Sequence, residues 1–137
     1  MTDLASPTLS KRERIVSRKL IELLFSKGSS RSTSVFPLRI VFMEKAREEG
    51  EEPVQILVSV SKRHFKRAVK RNRVKRQIRE AYRHHKTILA GRVPKDKSIA
   101  LAFIWQADKL FDSQQVERSV KRLLEKTAEN VCPSLRP

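Results

Sequence analysis

The segment from Lys62 to Lys86 constrains the fold most. It holds twelve lysines and arginines and one acid, Glu80, within 25 of the 137 positions. Apolar residues recur at helical spacing within it, which predicts a helix with a broad cationic face and a narrow apolar face formed by Val74, Ile78, Ala81 and Tyr82. Like charges on successive helical turns repel. A partner outside the chain must therefore supply negative charge.

The whole chain is also basic, with 31 lysines and arginines against 15 acids and a formal net charge of +16. Such a balance calls for a polyanion, either nucleic acid or an anionic membrane. No apolar run approaches the ~20 residues of a membrane helix, and residues 1–10 lack the layout of a signal peptide. The narrow apolar face of the basic helix is needed by a sheet, which disfavours a membrane-surface helix. We expect a cytoplasmic protein that binds nucleic acid and no membrane.

Hydrophobic periodicity along the chain predicts the element order α-β-β-α-β-α. The first helix begins at the N-cap Ser17 and ends at Gly28, followed by a serine-rich link. Residues 35–43 and 54–61 form a hairpin with a long acidic loop, and Pro37 marks an edge or early strand position. The remaining elements are a strand over 98–105 and a last helix capped by Asp112 or Ser113.

This order and the chain length predict one RNA-binding domain over residues 1–137, an α+β two-layer sandwich of a mixed central sheet with helices. Residues 1–14 are expected to be a mobile basic arm and residues 127–137 a tail. The single cysteine, Cys132, can form no internal disulfide.

A helix this basic could enter a DNA major groove, where arginine reads guanine and asparagine reads adenine. The surroundings favour RNA, because a sheet beside a helix offers a cleft for an extended single strand. We expect core packing for Phe36 and Phe103. The residues that such a strand could contact are Phe25, Phe36, Phe42, Ser59, Ala100 and Ala102.

All three histidines, His64, His84 and His85, lie in the basic segment. His84 and His85 point about 100° apart on a helix, an arrangement that suits neither one shared proton path nor one metal. We predict surface histidines and a chain that binds rather than cuts, with a stand-alone nuclease as the competing hypothesis. The acids of the long loop, in a turn, are expected to be solvated rather than metal ligands; they are Glu48, Glu49, Glu51 and Glu52.

The stretch "SVSKRHFKRAVKRNRVKRQIREAYR", Ser59 to Arg83, resembles the signature of the protein subunit of bacterial ribonuclease P. That signature is a Ser-x-Ser-Lys entry followed by Ala-Val-x-Arg-Asn-x-x-Lys-Arg and a later Arg. The resemblance extends from about Leu9 to Lys126. The family usually has a glycine in a linker one residue shorter, where this chain has "KRHFKRAV" with His64 and Phe65.

The resemblance implies a left-handed βαβ crossover, a departure from the usual right-handed rule. It also implies an endoribonuclease holoenzyme in which an RNA is the catalyst and the protein assists removal of 5′ leaders from precursor tRNA. The implied partners are the catalytic RNA and precursor tRNA, with one protein per RNA and a free monomer. Mg²⁺ would serve the RNA-catalysed hydrolysis without a dedicated protein site. The alternative is a structural RNA-binding module, such as a ribosomal or assembly protein.

The resemblance also implies two sets of site residues and no catalytic residue in this chain. Ile21 and Arg39 stand where family members often carry an aromatic residue, so an ionic contact is expected at Arg39. The leader cleft would comprise Ile21, Phe25, Arg39 and Ser59. The RNA-binding set is Lys62, Arg63, Arg71, Asn72, Arg73, Lys75, Arg76, Arg79 and Arg83.

Overall fold

The central strand of the sheet is β4, Lys97–Trp105, in a computed structural model that describes residues 11–26 and 30–131. Nearly all of its residues are apolar, and residues 98–103 are buried. A strand that is apolar on both sides must be covered on both faces. It pairs antiparallel with β2, Leu38–Ala46, along one edge and parallel with β3, Val54–Ser59, along the other.

The complete sheet has the order β1-β2-β4-β3, with β1, Arg31–Val35, antiparallel to β2 at the outer edge. The α+β class with a mixed sheet is confirmed. The predicted hairpin between residues 35–43 and 54–61 is wrong, because β4 lies between β2 and β3. The predicted serine-rich link is also wrong, since its residues 31–34 belong to β1. An exposed edge strand of Arg, Ser and Thr carries no hydrophobic alternation that would reveal it.

Helices lie on both faces of the sheet. They are α1 (Arg18–Phe25), α2 (Ala68–His85), α3 (Thr87–Ala90) and α4 (Ser113–Val131). The main core lies between α2, α4 and the face that carries Phe42, Phe103 and Trp105, here termed the core face. Beneath α1, a smaller cluster covers part of the opposite face, here termed the α1 face; its buried members are Ile15, Leu24, Val41, Ala100 and Ala102.

Side-chain caps fix the start of α1 and of α4. The Ser17 hydroxyl accepts a 3.2 Å hydrogen bond from the Leu20 N–H, as predicted, while the predicted helix end at Gly28 lies outside the described residues. Asp112 caps α4 by accepting a 2.8 Å bond from the Gln115 N–H. The helix continues to Val131 with Thr127 and Ala128 buried, so the predicted tail is wrong for residues 127–131. Residues 132–137, with Cys132, lie outside the described residues.

The N-terminal segment docks on the edge of β3. Residues Lys11–Glu13 form a 3-10 turn, and the Ile15 N–H donates a 2.9 Å bond to the Ile56 carbonyl. Glu13 is buried and accepts a 2.8 Å bond from the Lys86 ammonium. The predicted mobile arm is therefore wrong for residues 11–14, because the ion pair between buried Glu13 and half-buried Lys86 and the strand-like bonding to β3 hold them. Residues 1–10 lie outside the described residues.

The connection from β3 through α2 to β4 joins two parallel neighbouring strands, which makes a βαβ crossover. Phe65, in the linker before α2, is buried in the main core. His64 contacts Asp108 at 2.6 Å between Nδ1 and Oδ1, which ties the linker to the loop after β4. These contacts assign structural roles to the two linker residues. The left-handed sense of the crossover stays a prediction.

Candidate RNA interface

The cationic face of α2 is open to solvent at its centre. As predicted, Val74, Ile78, Ala81 and Tyr82 are buried on the opposite side. Asn72, Arg73 and Arg76 are exposed, and within residues 11–26 and 30–131 their side chains form no hydrogen bond or ion pair; nor does half-buried Lys75. Guanidinium groups without a carboxylate partner are suited to bidentate phosphate binding.

Two other arginines of the predicted RNA-binding set are held by the protein itself. The Arg71 guanidinium donates bonds of 2.9 Å and 2.8 Å to the carbonyls of Phe65 and Lys66. Arg83 pairs with Glu80 one turn earlier on α2, with 3.2 Å between Nε and Oε2. The Arg83 guanidinium and its hydrogen bond hold the pKa of Glu80 below its usual range. Arg71 therefore braces the linker before α2, and the charge of Arg83 is partly neutralised.

Lys62 and Arg63 were predicted as part of the basic helix, and the structure corrects their position. Both lie in the turn that precedes α2, whose N-cap is Arg67. The Arg63 N–H donates a 3.0 Å bond to the Ser61 hydroxyl, which closes this turn. Both side chains are exposed. They extend the cationic surface beyond the helix start.

Arg79 lies in a groove between α2 and the docked N-terminal segment, here termed the Arg79 groove. Its lining residues are Arg14, Ile15, Val16, Ile56, Leu57, Val58 and Arg79. Burial lowers the pKa of Arg79, and the positive charge of Arg14 lowers it further. Sequence reasoning missed Arg14 as a site residue because it treated the basic arm as mobile.

The predicted leader-cleft residues lie on the α1 face. Arg39 on β2 and Ser59 on β3 are both register partners of Ile104 on β4, so the three residues form a row across the sheet. Phe25, 47% exposed, lines a groove with Arg39 at the end of α1. Ile21 is half-buried and, like Ile104, packs against the cluster beneath α1. The sheet thus brings the four predicted residues to one face.

The groove that holds Phe25 and Arg39, here termed the Arg39 groove, also contains residues that the sequence did not indicate. Its lining residues are Leu24, Phe25, Ser26, Ser30, Arg31, Ser32, Arg39, Val41 and Ile104. Arg39 donates a 3.4 Å bond to the Ser32 hydroxyl, whereas the Arg31 guanidinium lies over the Phe42 ring on the core face, 5.2 Å from the ring centre. Arg31 and Ser32 belong to β1, the strand that hydrophobic alternation could not reveal.

Several other residues proposed for a single-strand cleft are not available on the α1 face. Phe42 is buried in the main core, and Ala100 and Ala102 are fully buried beneath α1. Phe36 was expected in the core but is 66% exposed, in the turn between β1 and β2, where its ring packs edge-on against Phe111 at 5.9 Å. Phe103 is buried as expected. Phe25 is the aromatic residue that the Arg39 groove retains.

The histidine pair of α2 converges on α4. His84 Nδ1 and His85 Nε2 lie 3.2 Å and 3.0 Å from the same Glu117 oxygen. Adjacent helical positions therefore do not keep the two rings from one carboxylate oxygen, while the expectation that they suit neither a shared proton path nor one metal stays a prediction. The cluster links α2 to α4, away from the row on the α1 face. Among the described residues no group of three or more His, Cys, Asp and Glu side chains could hold a metal ion.

The acidic loop between β2 and β3 is partly ordered by ion pairing. Both carboxylate oxygens of Glu51 lie 2.7 Å from the Lys45 ammonium, and one accepts a 2.9 Å bond from the Glu48 N–H. Burial of the Glu51 carboxyl raises its pKa, but the hydrogen bonds from Lys45 and Glu48 outweigh it and hold the pKa below its usual range. Glu48 and Glu49 are exposed, as expected for a solvated loop, whereas Glu51 and Glu52 are half-buried.

No helix in the parts of the chain that the structure describes has the length and apolarity to cross a membrane. The fold and the two cationic grooves define an α+β RNA-binding protein with an extended cationic surface. The chain matches the ribonuclease P family over residues 9–128. It belongs to the ribonuclease P protein family, whose members act in the endonucleolytic removal of 5′ leaders from precursor tRNA.

Individual relatives agree with this assignment. The chain is 41% identical to the ribonuclease P protein component of Porphyromonas gingivalis over 98% of its length and 96% of the relative. It is 33% identical to that of Chlorobaculum tepidum, over 87% of this chain and 82% of the relative. The solved ribonuclease P protein of Thermotoga maritima has the same fold, with a TM-score of 0.62, 22% identity and coverage of 83% and 96% of the two chains.

Proposed function

We propose that this chain binds two RNAs within the ribonuclease P ribonucleoprotein. The catalytic RNA contacts the exposed face of α2, and the 5′ leader of precursor tRNA lies on the α1 face of the sheet. The chain thereby assists an endonucleolytic cleavage whose catalyst is the RNA. Membership of the ribonuclease P family favours this function over that of a structural RNA-binding module without a role in cleavage.

The row formed by Arg39, Ile104 and Ser59 is the observation that carries the leader site. Neighbouring strands lie about 4.8 Å apart, so the row across β2, β4 and β3 is about 10 Å wide. That width suits one extended strand of RNA rather than a duplex. Phe25 supplies a ring for base stacking and Arg39 a charge for a phosphate, which is the combination that binds single strands with little sequence preference.

The catalytic RNA is assigned to α2 because its exposed cations lack internal partners. Asn72, Arg73 and Arg76 form no side-chain hydrogen bond or ion pair within the described residues, so phosphates replace water rather than a carboxylate. Arg71 and Arg83 contribute to RNA binding chiefly in an indirect way, because Arg71 holds the linker before α2 and Arg83 holds Glu80. The repulsion along α2 is then a cost of the free protein that RNA removes.

The proposal extends to conditions and stoichiometry. Mg²⁺ serves the RNA-catalysed hydrolysis, and the described residues of this chain offer no donor set for it. One protein binds one catalytic RNA, and the free protein is a monomer in the cytoplasm. The chain contributes binding affinity for RNA rather than catalytic groups. Its effect on cleavage is therefore greatest at low Mg²⁺, where the RNA phosphates are poorly screened.

Reconstitution tests the proposed function. Cleavage of precursor tRNA is measured with the protein alone, the catalytic RNA alone and the two together, over a range of Mg²⁺ concentrations. We expect no cleavage by the protein alone, and a lower Mg²⁺ requirement and tighter binding of leader-containing substrate for the complex. Cleavage by the RNA that does not change on adding the protein contradicts the proposal. RNA cleavage by the protein alone, lost in His84→Ala, would instead support a stand-alone nuclease.

A further inference from the structure

The Arg79 groove brings together two guanidinium groups from distant parts of the sequence. Arg14 is held at the open edge of β3, because its backbone bridges to Ile56 and the next residue, Ile15, bonds to the Ile56 carbonyl. The preceding residue, Glu13, is fixed to the end of α2 by its 2.8 Å contact with Lys86. Arg14 therefore faces α2 at a defined position rather than from a mobile arm.

No carboxylate compensates these two charges within the described residues. Neither Arg14 nor Arg79 forms a side-chain hydrogen bond or an ion pair there. Glu13, the acid nearest in sequence to Arg14, is buried and engaged by Lys86. Arg79 is half-buried, and the other residues that line the groove are apolar. They are Ile15, Val16, Ile56, Leu57 and Val58. Two cations along an apolar groove destabilise each other unless an anion lies between them.

We propose that Arg14 and Arg79 jointly bind one phosphodiester of an RNA strand in this groove. This inference rests on the proposed function. It adds Arg14 to the residues that contact RNA and names a phosphodiester as the ligand of the groove. Both guanidiniums donate through a planar fork that matches phosphate oxygens. The other residues that line the groove are apolar, which limits competing water contacts and strengthens a charge-assisted bond.

The phosphate has two possible sources with the same chemistry, the precursor tRNA leader and the catalytic RNA. The groove lies between the α1 face, where the leader is proposed to bind, and the cationic face of α2. Two binding measurements distinguish the sources. One measures affinity of the free protein for the catalytic RNA, and the other compares the assembled holoenzyme on precursor tRNA with and without a leader.

The test is a double-mutant cycle of Arg14→Ala and Arg79→Ala in both measurements. Each single change is expected to weaken binding about tenfold in the measurement whose RNA, catalytic RNA or leader, supplies the phosphate. Because the two residues share one ligand group, the double variant should lose less than the product of the single losses, by about twofold or more. Arg118→Ala, an exposed arginine on α4, is the matched control and should change neither measurement.

Stability measurements separate this role from a structural one. Arg14→Ala should unfold at the same denaturant concentration as the parent or a higher one, because a repulsive charge is removed. Unchanged affinity of Arg14→Ala in both measurements, or a double loss equal to the product, overturns the inference. The proposed leader site stands independently of that result, because Phe25→Ala and Arg39→Ala test it without involving Arg14.

Discussion

Arg71 donates a 2.9 Å hydrogen bond to the backbone carbonyl of Phe65. The same guanidinium nitrogen also bonds to the Lys66 carbonyl at 2.8 Å, so one side chain closes the linker onto the first turns of α2. Phe65 itself is buried in the main core. A residue of the predicted RNA-binding set thus orders the entry to the cationic helix, so we expect its effect on RNA affinity to be indirect.

Arg71→Ala should lower the free energy of unfolding by about 2 kcal/mol, because two charge-assisted bonds are lost and two carbonyls lose their donor. Denaturant unfolding monitored by Trp fluorescence measures the change. Arg73→Ala, an exposed arginine two residues away, is the matched control and should stay within about 0.5 kcal/mol of the parent. Equal stability of the two variants would show that Arg71 does not brace the linker.

Arg76→Ala should leave the fold intact and reduce the salt dependence of catalytic-RNA binding. Each phosphate contact contributes about 0.7 to 0.9 log units of affinity per tenfold change in salt. Arg76 is exposed and has no internal partner among the described residues, so losing one contact should reduce the slope by about that amount. Titrations at several salt concentrations measure it. A slope within error of the parent would mean that Arg76 touches no phosphate.

The elements that the sequence predicted correctly are those whose signal is local. The apolar stripe of α2 through Val74 and Ile78, the Ser17 cap and the two-sided apolar pattern of β4 each depend on residues within a few turns or positions. The pairing of strands, in contrast, depends on residues far apart in the sequence. β2 and β3 are separated by a loop that suggests a hairpin, yet β4, some forty residues later, takes the place between them. A fully buried strand needs neighbours on both edges, and that need outweighs the local connection.

The candidate site divides in the same way. Periodicity places Asn72 and Arg76 on one exposed face, and the resemblance to the family indicates Phe25 and Arg39. The position of Arg14 depends on the partly buried Glu13–Lys86 pair, whose members are 73 positions apart in sequence. Neither charge pattern nor spacing in a single sequence encodes such a contact.

Tyr82 predicts a loss of stability at alkaline pH. Burial, with the nearby charges of Glu13 and Glu52, raises the pKa of its hydroxyl. The unfolded tyrosine ionises near pH ~10, so stability is fully present below that pH and falls above it, by about 1.4 kcal/mol per pH unit. Tyr82→Phe has no hydroxyl to ionise. Compared with its own stability at pH 7, this variant should therefore not show the alkaline loss that Tyr82 causes in the parent. Tyr82 is the chain's single tyrosine, so phenolate absorbance should appear only on unfolding; its appearance in the native state would contradict the prediction.

Glu51→Gln should lower stability at neutral pH by about 1 kcal/mol, because the charge that receives the Lys45 ammonium is lost. The pKa of Glu51 is depressed in the folded state. Its contribution is therefore present above the unfolded pKa of ~4.3 and disappears as pH falls through the folded pKa. Unfolding of parent and variant should converge below about pH 4. Glu49→Gln, in the same loop and exposed, should match the parent at both pH values; a Glu51→Gln deficit that persists in acid would exclude the ion pair as its cause.

Phe25→Ala should weaken holoenzyme binding of precursor tRNA that carries a leader and leave binding of leaderless tRNA unchanged. Stacking of one base on an aromatic ring is worth about 1–3 kcal/mol, so the loss should be about tenfold or more. Leu23→Ala is the matched control, because Leu23 lies on the same helix with 43% exposure against 47% for Phe25, yet outside the Arg39 groove. Arg39→Gln should also reduce the salt dependence of holoenzyme binding for leader-containing tRNA but not for leaderless tRNA. Equal losses on leader-containing and leaderless tRNA would move the leader away from the α1 face and assign Phe25 to general RNA binding.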